Sequence, residues 1–98
     1  MKEYELLIVL KPHIDSEETG KIIDKFEENI TQFGGKINST DKIGRKKLSY
    51  EIQKFRDGFY IVQKIELPEN KVAELKRQLK LNENVIRYML VKANRVAA

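Results

Sequence analysis

The chain has no cysteine, a single histidine and only two prolines. Without thiols it forms no disulfide and offers no thiolate nucleophile. Most zinc arrangements are also closed to it, and such a composition suits a reducing cytoplasm. His13 sits in a strand-to-helix connection beside Pro12, with no second histidine to share a metal, so it reads as a solvated loop residue. No apolar run approaches the roughly 20 residues that span a bilayer, so no membrane segment is expected. The short apolar stretch of MKEYELLIVLKP is flanked by charge and closed by Pro12, unlike a secretory signal. No GxSxG elbow, P-loop or GxGxxG occurs. Gly34-Gly35 follows a helical pattern, whereas a phosphate cradle must precede one. No enzyme activity and no cofactor are expected.

What is present is one domain's worth of sequence, residues 1–98, with 41% hydrophobic and 35% charged residues. The net charge is +4. Residues 36–56 hold seven cations (Lys36, Lys42, Arg45, Lys46, Lys47, Lys54, Arg56) against Asp41 and Glu51, a net +5 that leaves the rest of the chain at −1. The positive excess is therefore local, and local excess is what a polyanionic partner detects.

Periodicity orders the elements. Tyr4 to Leu10 is a strand pattern whose tail is apolar at every position. Asp15 and Ser16 offer N-caps, and Glu17 and Glu18 place acid in the first turn of a helix. Its inward face is Ile22, Ile23, Phe26, Ile30 and Phe33, and Gly34-Gly35 ends it. Glu27 and Glu28 belong to the same acidic outer surface, read as solubilising charge rather than as an acid–base pair. Lys36 to Ile52 predicts a long second strand, kinked or bulged at Gly44. Residues 54–58 are expected to turn the chain, with Asp57-Gly58 as the hairpin signal. Phe59 to Leu67 is the third strand, Val72, Leu75, Leu79 and Ala73 mark a second helix, and Val85 to Lys92 is the fourth strand. Residues 93–98 are expected to be loose.

The order β-α-β-β-α-β is the split βαβ pattern: an α+β, ferredoxin-like domain with a four-stranded antiparallel sheet and both helices on one face. Strand parity assigns Leu6, Ile8, Leu10, Ile61, Ile65, Leu67, Ile86, Tyr88 and Leu90 to the helix side. The open side then receives Leu7, Val9, Tyr60, Val62, Met89 and Val91, among Glu5, Lys64, Arg87 and Lys92. Six apolar side chains on an uncovered sheet suggest a docked partner, although apolar residues scattered among charges need none.

The basic stretch allows two readings. In a strand, Arg45 and Lys47 project to one side and Lys46 to the other, with Lys54 and Arg56 near the hairpin tip. Such a ribbon can grip phosphates from several directions. It can equally be a solubilised arm whose lysines protect a sheet edge. Catalysis of the acylphosphatase type needs an anion-cradling loop after the first strand, and Lys11-Pro-His-Ile-Asp15 has no glycine and carries an acid. An RNA-recognition sheet stacks bases on central aromatics in an RNP motif, which is absent here; Tyr60 is the lone outward aromatic of the third strand. The open face suits an apolar protein segment better than stacked bases.

The stretch Gly44-Arg-Lys-Lys-Leu-Ser-Tyr-Glu-Ile52 resembles the signature of the bacterial family of small-subunit ribosomal protein number six. The likeness continues through Tyr4-Glu5, Gly58-Phe-Tyr60, Leu67-Pro-Glu69, Asn84-Val-Ile-Arg87 and Val91-Lys92. No long acidic C-terminal tail accompanies it, so tail-dependent modification is not carried over. The resemblance implies a ribosomal, RNA-binding protein that works in translation, in the cytoplasm. It implies binding to the central domain of the small-subunit ribosomal RNA, as a heterodimer with small-subunit ribosomal protein number eighteen and as a monomer when free. RNA contacts map onto Lys2, Arg45, Lys46, Lys47 and Arg87, with Lys54 and Lys92 beside them; Tyr50 belongs to the signature but can equally be a packing residue. Partner contacts map onto Leu7, Val9, Tyr60, Val62, Met89 and Val91. A protein-only interaction module is the alternative.

Overall fold

The computed structural model describes residues 2–93. The expectation for the C-terminal stretch therefore falls outside the described residues from 94 onward. Four strands, β1 (Lys2–Leu10), β2 (Lys36–Ile52), β3 (Phe55–Leu67) and β4 (Val85–Lys92), form one sheet in the order β2-β3-β1-β4. All its pairings are antiparallel. Helix α1 (Ser16–Gln32) joins β1 to β2. A short 3-10 turn (Glu69–Lys71) leads into α2 (Val72–Leu81), which joins β3 to β4.

Local chemistry sets the helix ends. Asp15 Oδ1 accepts the Glu18 N–H at 2.7 Å, and Glu17 and Glu18 occupy the positive first turn. At the other end, Gly34 and Gly35 donate back to the Thr31 and Ile30 carbonyls at 3.0 and 2.9 Å, so the chain leaves α1 in a closed turn. Ile22, Ile23, Phe26 and Ile30 are buried, as their spacing predicts, while Leu75 and Leu79 do the same for α2. Ala73 stays exposed.

The core lies between the helices and the face bearing Leu6, Ile8, Leu10, Ile61, Ile65 and Leu67. Tyr4 joins it, and Tyr88 and Leu90 pack against its margin. A buried polar residue shares this face. Gln63 is fully buried, and its Nε2 donates to Glu27 Oε2 and Thr40 Oγ1, both at 3.3 Å. Thr40 Oγ1 donates to the same Glu27 oxygen at 2.7 Å. The cluster ties α1 to β2 and β3, where buried polar groups require partners.

The hairpin departs from the sequence expectation. The turn is Gln53–Lys54, both at positive φ (50° and 70°), and Phe55 already pairs with Ile52. Two consecutive left-handed residues are what a tight hairpin needs to match strand twist, even though neither is Asn or Gly. Gly58 therefore lies inside β3, opposite Lys46, and not in a turn. Its hydrogen answers a close approach: a Cβ there would collide with Val9 Cγ1 and lie 3.1 Å from the Leu10 carbonyl oxygen.

Candidate nucleic-acid and partner interface

The face away from the helices is left uncovered by the described residues. Its middle is apolar: Leu7, Val62, Met89 and Val91, with Glu5 at the border, line a shallow depression of about 240 Å³. Met89 is 44% and Val91 45% exposed, values that a core position never shows. Leu7, Tyr60 and Val62 are half-buried. Five of the six expected partner residues therefore have accessible surface.

Val9 does not. It is 1% exposed, because Gly58 packs onto its side chain from the neighbouring strand. Parity points Val9 to the open side correctly, since its register partners are Tyr60 and Arg87. Parity says nothing about an adjacent strand closing over that position, and Val9 offers a partner almost no surface.

The arm is β2 and β3 beyond their pairing with the body of the sheet. Gly44, at φ 105°, sits at a register shift after Lys42, so the strand bends where the basic triplet begins. Beyond it the register is Arg45↔Phe59, Lys46↔Gly58 and Lys47↔Asp57. Cross-strand partners share a face, so Arg45 and Lys47 lie on the side of Phe59, which packs against the core, and Lys46 on the open side. Arg45 Nε is 2.7 Å from Asp57 Oδ2, a charge-assisted bond that fixes the guanidinium, whose outer nitrogens have no acceptor among the described residues. Arg56 approaches Glu51 at 4.0 Å, and Lys46 and Lys47 are exposed without an ion pair among the described residues.

A contact that sequence reasoning missed crosses the sheet. Arg87, on the far edge strand β4, places its guanidinium 5.8 Å from the centre of the Tyr50 ring and donates to the Tyr50 hydroxyl at 2.9 Å. Tyr50 thus joins arm to sheet and brings Arg87 beside the arm's cations. Their separation of 37 residues leaves no local signal. The motif singles out Tyr50, but only the three-dimensional arrangement gives it this partner.

The expected RNA-binding residues fall into two groups. Arg45, Lys46, Lys47, Lys54 and Arg87 gather at the arm end, where Arg87 pairs with Val9 and Arg45 with Phe59. Lys2 and Lys92 lie at the other end of β1, opposite Leu67 and Tyr4. At about 3.3 Å per residue, roughly 15–23 Å of strand separates the two groups. Lys2 is also 3.8 Å from Glu69, though both are more than half exposed.

These features define a class: a two-sided α+β domain, helices on one face, an apolar sheet surface bare of described residues on the other and a cationic hairpin at one end. The family model described as ribosomal protein S6 matches residues 3–92, and the chain belongs to that family. It is 33% identical over 98 residues to the small ribosomal subunit protein bS6 of Moorella thermoacetica, covering all of both chains. It is 33% identical over 92 residues to the bS6 protein of Halalkalibacterium halodurans, covering 94% of this chain and 97% of the other. The crystal structure of 30S ribosomal protein S6 from Thermotoga maritima superposes with a TM-score of 0.89 at 25% identity, over 94% of this chain and 87% of that one. The ferredoxin-like split βαβ arrangement is shared with it.

Proposed function

We propose that the chain is a structural, non-catalytic component of the small ribosomal subunit that joins a protein partner to RNA. The arm and Arg87 grip the central domain of the small-subunit ribosomal RNA. The open sheet face receives small-subunit ribosomal protein number eighteen at Leu7, Tyr60, Val62, Met89 and Val91. The observation that supports this reading is the adjacency of a bare apolar depression on the open face and a hairpin whose cations project to both sides, Lys46 to the open side and Arg45 and Lys47 to the other. The apolar depression is bare, and the densest cations stand at its end on a braced ribbon. Lys2 and Lys92 complete the proposed RNA set at the other end, which requires RNA running along the sheet or two separate strands.

Phosphate contacts from such a ribbon supply affinity with little base reading, and RNA shape and the partner supply selectivity. Replacing Arg45, Lys46 and Lys47 by alanine is expected to leave the fold intact. It should flatten the plot of log affinity against log salt by roughly two to three units, since each phosphate the protein neutralises adds about 0.7–0.9 to the slope. The assay is titration of a transcribed central-domain fragment at several salt concentrations, and an unchanged slope removes the triplet from the interface. The pairing of Arg45 with Asp57 and Arg56 with Glu51 favours a second reading, a protein-only docking module, which predicts no salt-sensitive RNA binding at all.

A further inference from the structure

The chain carries a second cationic surface, on the outer side of α2. Ala73, Lys76, Arg77 and Lys80 recur at i, i+3, i+4 and i+7, one stripe of the helix. Leu75 and Leu79 point elsewhere, into the core. With Tyr88 of β4 the stripe lines a groove of about 350 Å³. Lys76, Arg77 and Lys80 reach solvent, and none forms an ion pair with a described residue. Glu74, the sole acid of α2, falls outside the stripe.

The stripe brings like charges together, which Glu74, three residues before Arg77, offsets only in part. Lys76 and Lys80 are a like-charge pair one helical turn apart, and Arg77 and Lys80 stand three residues apart. Lys80 near the helix C-terminus complements the dipole, but Lys76 and Arg77 in mid-helix gain little from it. An anion laid along the stripe relieves the repulsion. The groove also continues towards the arm. A neighbouring depression of about 270 Å³ is lined by Lys80 and Tyr88 together with Arg87 and with Gln53 of the hairpin turn. Arg87 in turn holds Tyr50.

We infer that Lys76, Arg77 and Lys80 form a second RNA-contact surface, continuous through Arg87 with the arm, so that a phosphate backbone passes around the β4 edge from the arm onto α2. The inference rests on the RNA reading proposed above and extends it to a face that reading leaves unused. RNA is favoured over an acidic protein segment because the two depressions share Lys80 and Tyr88 and so lead towards the arm, and because the exposed charged side chains along them are cations, the apolar Leu79 and Ile86 beneath being buried.

The test first compares three full-length proteins, with the partner protein present, on a transcribed central-domain RNA between about 50 and about 200 mM salt. These are the unaltered chain, Arg45→Ala/Lys46→Ala/Lys47→Ala, and Lys76→Ala/Arg77→Ala/Lys80→Ala. Alanine is the best helix former, so the α2 variant should keep or slightly raise its melting temperature. A glutamine version of the same three positions retains side-chain length as a second check. The α2 variant is expected to flatten the salt slope by about two units, and combining both triples should give the sum of their effects. A wild-type slope in both α2 variants, beside a flattened slope in the arm variant, overturns this inference and leaves the RNA reading standing. Absence of salt-dependent binding by the unaltered chain overturns both.

Discussion

Gly58 offers the sharpest test of how the arm joins the sheet. A methyl group at this position would overlap Val9 Cγ1 and stand 3.1 Å from the Leu10 carbonyl oxygen and 3.4 Å from Ile86 Cδ1. Leu10 is held in the β1–β3 ladder, and Val9 has a stiff, β-branched side chain, so neither yields easily. Overpacking of this kind costs about 1–3 kcal/mol. Replacing glycine also removes freedom from the unfolded chain, which offsets about 0.4–1 kcal/mol of that. A net loss of about 1.5 kcal/mol is expected for Gly58→Ala, or a fall in melting temperature of roughly 6–12 °C for a domain of this size. Val9→Ala alone should cost about 2 kcal/mol, since it empties two fully buried methyl positions and keeps Cβ. In the Val9→Ala background, however, Gly58→Ala should cost clearly less, because the atom it strikes hardest has gone and only the 3.1 Å approach to the Leu10 carbonyl oxygen remains. Urea denaturation of the two singles and the double gives the coupling energy. Additivity within about 0.5 kcal/mol would refute the proposed contact and, with it, the account of why Val9 is buried.

Two more outcomes are expected. Val62→Asp and Met89→Asp should each shift the monomer's stability by no more than about 1 kcal/mol, since both sites reach solvent, yet prevent the partner from docking by burying an unpaired charge. Size-exclusion or calorimetric titration reads the loss, and an unfolded Met89→Asp monomer would mean that this side chain belongs to the core. Gln53→Asn with Lys54→Gly should stabilise the hairpin by about 1 kcal/mol, because it replaces two strained positive-φ residues with those that adopt the conformation freely. A melting temperature that stays level or falls would show that the turn is of another type.

Much of the fold and part of the interface are legible in residue order. The α1 face, its Asp15 cap, the glycine stop and the span of β2 all follow from patterns within a few residues, where propensity and periodicity operate. The division of β1, β3 and β4 into a covered and a bare face follows from alternation alone; what alternation leaves out is that Val9, on the bare side, is closed over. The hairpin turn does not, because Asp57-Gly58 imitates a turn signal, whereas Gly58 is present for lack of room beside Val9. Gln63 gives no signal in sequence, because a polar residue on a core face means little until Glu27 and Thr40 are seen around it. The cations of α2 are masked in the same way: Glu69, Glu74 and Glu83 nearly balance them along the chain, and only the helical repeat gathers them on one side.

Sequence by itself thus determined the element order, the two faces of the sheet and the concentration of charge between residues 36 and 56, since each depends on local spacing. Tertiary structure alone decided that Val9 is closed off, that Tyr50 meets Arg87 across the sheet, and that Lys2 and Lys92 stand apart from the arm. Those outcomes depend on which strands become neighbours and how tightly they approach. Hydrogen-bond register and steric contact between distant segments fix such distances, and no window along the chain contains them.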